Sequence, residues 1–175
     1  IVENLLSVTR IEEGRMNFNM SIQLMDEVIS EALAHIRQKH NRHDIEVFCE
    51  DELLLAKMDA KLIVQVIINL VENAIKYTPD GTSIRIVAKK EEEAVAVSVI
   101  DNGPGIPKEI KPRVFDIFYT GENKVADSRR SLGLGLALCK SIINAHGGEI
   151  TLTDNQPQGC NFTFMLPMEE VRIDE

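Results

Sequence analysis

Apolar residues recur every three or four positions in four stretches of the chain and every second position in four others, the spacings of helices and of half-buried strands. The first helical stretch carries Ile1, Leu5, Val8 and Ile11 and stops at Gly14 and Asn17. The second, from about Met25 to Lys39, places Val28, Ile29, Ala32, Leu33 and Ile36 on one face, as a core-packing helix should. The third is the clearest: Ile63, Val66, Ile67, Leu70, Val71 and Ala74 predict a helix from Ile63 to Ile75, which Pro79-Asp80-Gly81 ends. The fourth runs from about Leu134 to Ala145 and meets Gly147-Gly148.

The alternating runs are Ile84/Ile86/Ala88, Val95/Val97/Val99, Ile150/Leu152 and Phe162/Phe164/Leu166. The first two form an antiparallel pair in this reading, with Lys89 to Glu93 as a solvated charged turn, and the last two are parted by Asn155 to Gly159. Between Pro107 and Ser131 no period survives, and so long a segment inside a compact domain reads as a lid or binding loop. The order of elements predicts an α+β fold: a two-layer sandwich whose mixed, mostly antiparallel sheet is covered on one face by helices.

At 175 residues the chain accommodates one sizeable core, and 44% hydrophobic with 27% charged residues is ordinary globular composition. The longest apolar stretch, Leu62 to Val71, is broken by Gln65 and Asn69 and falls short of the roughly 20 residues of a spanning helix. No export signal stands at the start. Three cysteines, Cys49, Cys139 and Cys160, form no CxxC pair, which argues for a reducing, cytoplasmic setting and against structural zinc.

The formal net charge of -9 opposes nucleic acid and acidic membranes, so a polyanionic ligand needs a local exception. The Pro107 to Ser131 segment is one: Lys108, Lys111, Arg113, Lys124, Arg129 and Arg130 outnumber four acids.

Three groups carry candidate chemistry. On the third helix Asn69, Glu72, Asn73 and Lys76 lie at i, i+3, i+4 and i+7, one stripe beside the apolar face, which is either a binding stripe or simply solvated. Asp101-Asn102-Gly103-Pro104-Gly105-Ile106 follows directly on a strand. It is either an ordinary turn or a site where a carboxylate accepts an adenine amino proton and glycines let backbone approach a ligand. Gly133-Leu134-Gly135-Leu136 opens the fourth helix, where unpaired N–H groups and the dipole favour phosphate. Phe115 and Phe118 read as hydrophobic anchors of the loop, and His35, His40, His43 and His146 as surface or packing histidines.

Taken in order, these pieces resemble the ATP-binding domain of bacterial sensor histidine kinases, within the wider group of gyrase, the Hsp90 chaperones and MutL. Asn69 to Tyr77 is similar to the N box, Asp101 to Ile106 to the first glycine box, Phe115 to Phe118 to the F box, and Gly133 to Leu136 to the second glycine box. Asp51 to Asp59 and Ala126 to Arg130 resemble the KdpD-type, potassium-responsive kinases. Asn4 to Gly14 resembles the end of the dimerising, histidine-bearing hairpin. The division this implies is a hairpin stub over residues 1–16, a catalytic domain of the Bergerat type over 17–170 and a tail over 171–175.

The resemblance also implies ATP and magnesium as cofactors, with Asn73 as the metal ligand and Glu72, Asn73 and Lys76 as the catalytic group. Asn69, Tyr77, Asp101, Gly103, Gly105, Ile106, Phe118, Arg129, Arg130, Leu132, Gly133, Leu134, Gly135 and Leu136 would complete the nucleotide site. Tyr77 would line the base, Lys76 would meet phosphate, and Glu72 would polarise the attacking histidine. The implied partners are a hairpin of the same or a partner subunit and a response regulator. The parent is expected to be a membrane-anchored homodimer whose cytoplasmic domain touches neither lipid nor nucleic acid.

Two positions depart from the family's pattern, Ser131 where many relatives have glycine and Cys160 where threonine, serine or alanine is usual. The family's phospho-acceptor motif is not in this chain: His43-Asp44 is followed by Ile45, Glu46 and Val47. The alternatives left open are an ATP-hydrolysing relative that activates water with Glu72, and a nucleotide-sensing module that binds ATP without transfer.

Overall fold

The computed structural model describes residues 10–11, 14, 17–39, 43–50, 53–116 and 134–169. In chain order these form β1 (Ser21–Leu24), α1 (Met25–Lys39), β2 (Asp44–Cys49), β3 (Leu55–Met58), α2 (Ala60–Tyr77), β4 (Ser83–Glu91), β5 (Ala94–Asp101), α3 (Leu134–Ala145), β6 (Glu149–Asp154) and β7 (Cys160–Pro167). A short 3-10 turn, Lys111–Arg113, lies between β5 and α3. No described helix is long and apolar enough to cross a membrane.

Five strands make the main sheet in the order β2-β4-β5-β7-β6, and β1 pairs with β3 in a small antiparallel sheet. All neighbours in the main sheet are antiparallel except β2 and β4, which run parallel through a crossover holding β3 and α2. Alternation decides the faces. Ile84, Ile86 and Ala88 of β4, Val95, Val97 and Val99 of β5, and Phe162, Phe164 and Leu166 of β7 are all buried with the helices in one core. On the other face Ser98 Oγ donates to Thr163 Oγ1 at 2.8 Å, and the Thr163 hydroxyl donates in turn to Asn161 Oδ1.

The three described helices supply the opposing apolar stripes. α1 buries Met25, Val28, Ile29, Ala32, Leu33 and Ile36, and Asp26 and Glu27 complement the dipole in its first turn. α2 is capped by Asp59, whose side chain accepts from Leu62 N, and it ends at Thr78, held in an extended conformation before Pro79. It buries Ile63, Val64, Val66, Ile67, Leu70, Val71 and Ala74. In α3 the residues Ala137, Leu138, Cys139, Ile142 and Ile143 are buried.

The structure departs from the sequence reading in three places. α2 is longer at both ends than the Ile63 to Ile75 stretch, because Asp59 starts it one turn earlier. Lys89, Lys90 and Glu91 belong to β4 and pair with Ala96, Val95 and Ala94, so only Glu92 and Glu93 turn, with Glu92 at φ 56°. β1, β2 and β3 were not anticipated. Of the first helical stretch only Arg10 and Ile11 are described, and both are helical.

Candidate nucleotide site

The α2 stripe ends where the sheet's chemistry begins. Asn69, Glu72 and Asn73 are half-buried, and Lys76 and Tyr77 are exposed in the last turn, with Lys76 Nζ 5.4 Å from the centre of the Tyr77 ring. Asn69 Oδ1 accepts from Gln65 Nε2 at 2.8 Å, while its buried Nδ2 has no hydrogen-bond partner among the described residues. A buried amide donor left unpaired costs about 1–3 kcal/mol, so among the described residues the stripe holds a polar atom with no geometrically sound partner.

Asp101 is the last residue of β5 and only 6% exposed. Its Oδ1 accepts from the backbone N–H of Gly103 at 3.0 Å and of Cys160 at 3.2 Å. Both bonds fall on the same oxygen, and Oδ2 accepts no hydrogen bond from the described residues. Around it the backbone is tied down: Asn155 Nδ2 donates to Asp101 O, Asn155 N to Gly159 O, Gln158 Nε2 to Asn102 O, and Ser83 N to Asn102 Oδ1. Gly103 is required by close approach, since a Cβ there would stand 2.4 Å from Thr78 Cγ2. Thr78 is itself oriented, because its hydroxyl donates to Ala74 O at 2.6 Å and accepts from His43 Nε2 at 3.0 Å. The C-terminal end of α2 and the Asp101 turn are therefore in direct contact.

Beneath the turn, burial pushes the Cys160 thiol up to about 11, helped by the negative charges of Asp101 and Asp154 and opposed by Lys111, which is ion-paired to Asp154. The thiol stays protonated at neutral pH and adds no charge beside Asp101.

α3 packs along α2. Its Cys139 thiol contacts Val66 O at 3.7 Å, and His146, just past its end, accepts at Nε2 from Asp59 N at 3.1 Å. These contacts are seven residues apart on each chain segment but in opposite order, so the two helices run antiparallel in step. Continued in the same register, α2 beyond Val66 runs toward the opening of α3.

The sequence-predicted groups thus divide. Asn69, Glu72, Asn73, Lys76 and Tyr77 share α2, and Asp101, Gly103, Gly105 and Ile106 form the adjoining turn, with Gly105 at φ +83°. Leu134, Gly135 and Leu136 open α3. Phe118, Arg129, Arg130, Leu132 and Gly133 lie outside the described residues. Phe115 packs against the core as an anchor, its ring meeting that of Phe162 edge-to-face with centroids 6.0 Å apart. The reading missed Thr78, Asn155 and the backbone of Cys160 as the scaffold of Asp101. Asp59 directly ahead of an apolar-periodic run was the one legible cap signal.

Residues 58–170 match the family model described as histidine kinase-, DNA gyrase B- and HSP90-like ATPase. The chain is 41% identical over 97% of its length to the sensor protein KdpD of Clostridium acetobutylicum and spans 19% of that protein. It is 35% identical to the KdpD of Escherichia coli, again over 97% of its own length and 19% of the relative's. It therefore spans about a fifth of the curated relatives it matches first. Among solved structures, the catalytic domain of the histidine kinase ThkA superposes with a TM-score of 0.76 at 33% identity, covering 86% of this chain and 96% of that one. ThkA in complex with the response regulator protein TrrA gives 0.75 at 30% identity, covering 96% and 48%.

Proposed function

Because the chain belongs to the family of histidine kinase-, DNA gyrase B- and HSP90-like ATPases, as a histidine kinase catalytic domain, we propose that it binds magnesium-ATP between α2 and α3 and hands the γ-phosphate to a histidine on a separate hairpin. The observation that carries this reading is the antiparallel step of the two helices, fixed at Asp59–His146 and Val66–Cys139. Carried on along both helices, that step would bring the carboxamides and carboxylate of α2 toward the opening of α3, while Thr78 meets Gly103 in the turn that follows the buried Asp101.

Each residue then has one task. Asp101 Oδ2 accepts the exocyclic amino proton of adenine, and Tyr77 lines the base. Lys76 and the opening N–H groups of α3 neutralise phosphate, with Arg129 and Arg130 as further cations. Phe118, Leu132 and Gly133 would complete the cover and cradle. The half-buried oxygens of Glu72 and Asn73 suit a hard, oxygen-seeking cation that keeps most of its waters, and Asn73 would hold it. Bound there, magnesium would offset charge on the phosphate oxygens. Glu72 would accept a hydrogen bond from the incoming imidazole and so raise its nucleophilicity. Positioning and charge neutralisation, rather than covalent chemistry, would supply most of the acceleration.

Residues 1–16 would be the end of the hairpin, 17–170 the catalytic domain and 171–175 a tail. The partners proposed are that hairpin, in the same or a partner subunit of a homodimer, and a response regulator, as ThkA has in TrrA. The domain would work on the cytoplasmic side of a membrane-anchored parent.

The test mixes the purified chain with magnesium-ATP and a histidine-bearing hairpin and looks for acid-labile, base-stable phosphate on the hairpin. Transfer supports the reading. Tight nucleotide binding without transfer replaces it with a sensing module, and absence of nucleotide binding removes it.

A further inference from the structure

Asp59 and His146 stand 87 residues apart in sequence and share a bond at the end of the helix pair remote from the proposed nucleotide site. All four side-chain polar atoms of Asp59 and His146 are assigned. Asp59 Oδ1 caps α2 through Leu62 N at 3.4 Å, and Oδ2 accepts from the backbone N–H of Asn19 at 3.0 Å. Asp59 N donates to His146 Nε2, so His146 carries its ring proton on Nδ1 and donates it to Ile142 O at 2.7 Å. The ring of Phe18 meets the imidazole edge-on, with centroids 5.4 Å apart. His146 is 7% exposed and Phe18 half-buried, so this is an enclosed contact rather than a surface one.

Three chain segments end here: the lead-in through Phe18 and Asn19, the start of α2 and the end of α3. Upstream of the lead-in, Ile11 packs against the core. Along α2 the spacing is regular. Asp59 is seven residues before Val66, which touches Cys139, and Val66 is seven before Asn73. Two turns of helix are about 10 Å, so the Val66–Cys139 contact lies midway between the cluster and the proposed metal ligand. Two stiff helices in contact at this midpoint would carry a change in separation at one end to the other.

We infer that Asp59 and His146 form a joint through which the lead-in segment at Phe18 and Asn19 sets the spacing of α2 and α3, and with it the affinity of the nucleotide site. Asp59 and His146 are positioning residues in this arrangement, since neither reaches the proposed ligand. The inference rests on the nucleotide reading above and adds a route by which the segment arriving from the hairpin controls it. The contact is well suited to such control, because an edge-to-face ring pair and one backbone bond are weak enough to break and specific enough to re-form.

The test uses the whole chain and four variants: Phe18→Leu, Phe18→Tyr, His146→Phe and the Phe18→Leu/His146→Phe pair. Two quantities are read well below each melting midpoint, the affinity for a fluorescent ATP analogue with magnesium and hydrogen exchange at the Leu62 and Ile63 amides without nucleotide. Phe18→Leu and His146→Phe are each expected to weaken affinity about five-fold or more, the pair no further than the worse single change, and Phe18→Tyr not at all. Exchange at Leu62 and Ile63 should quicken in the same variants. Unchanged affinity with quickened exchange would reduce the cluster to a local support, and additive losses would show two independent contacts; either overturns the joint. If the wild-type chain fails to bind the analogue, the nucleotide reading itself fails.

Discussion

Gly159 lies so close beneath Asp101 that a Cβ on it would stand 1.9 Å from the Asp101 carbonyl oxygen. Its φ of +112° adds a second reason for glycine, and its carbonyl closes the loop back to Asn155 N. Gly159→Ala is therefore expected to cost about 3 kcal/mol in urea denaturation, through overpacking and backbone strain together. It should also displace Asp101 and lower nucleotide affinity. A variant that keeps both stability and affinity would show that the two strands part freely at this point.

Asp101 holds two backbone N–H groups on one oxygen, so replacement by alanine removes a structural acceptor as well as a ligand contact. Asp101→Asn separates the two. Its carboxamide oxygen can still accept from Gly103 and Cys160, while its amide nitrogen faces the adenine amino group donor to donor. Calorimetry should find ATP binding lost in Asp101→Asn with stability within about 1 kcal/mol of wild type, and both reduced in Asp101→Ala. Retained binding in Asp101→Asn would move the adenine elsewhere.

Chelation tests the metal assignment. Removing divalent cations from the wild-type chain should weaken ATP binding about ten-fold, the size of a typical coupling between two ligands. Asn73→Ala should bind ATP with that weaker affinity whether or not magnesium is present. A variant whose affinity still rises on adding magnesium places the metal on other ligands.

Cys139 is fully buried against Val66, and burial pushes its thiol from the ordinary 9.0 up to about 12. In the unfolded chain the proton leaves near pH 9, in the folded chain not until about 12. Between these values unfolding releases a proton, so the stabilising effect is complete below pH 9 and is lost as pH rises, at about 1.4 kcal/mol per pH unit. Cys139→Val, similar in size, should flatten the alkaline decline in melting temperature. An identical decline would assign it to other groups.

Much of this architecture could be read from residue order because the helices declare themselves through spacing. Met25–Lys39 and Leu134–Ala145 have the bounds that periodicity predicts. The strands were legible only where one face is dry. Val95, Val97 and Val99 alternate with smaller residues, whereas β2 is an edge strand whose Val47 and Phe48 are both exposed, 37% and 60%, so its pattern carries no period. Lys89, Lys90 and Glu91 looked like a turn because all three are charged and exposed at the end of β4.

The site divides the same way. Asn69, Glu72, Asn73 and Lys76 were visible as a stripe since one helix carries them all. Thr78 against Gly103, Asn155 on Asp101 and His146 on Asp59 are meetings of distant segments, and no local rule anticipates them. His146 was read as a packing histidine, and burial agrees; its partner was not readable.

The chain leaves the main sheet at Asp101, the end of β5, and takes it up again at Glu149 of β6, after α3. For an irregular stretch set between fixed elements the closure penalty grows only logarithmically with length, about 0.6 kcal/mol for each doubling. The stretch from Pro107 to Ser131 can therefore be lengthened, shortened or exchanged while the pleated scaffold keeps its register. The Asp101 turn, tied down by Asn155 and Cys160, would keep its geometry through such changes.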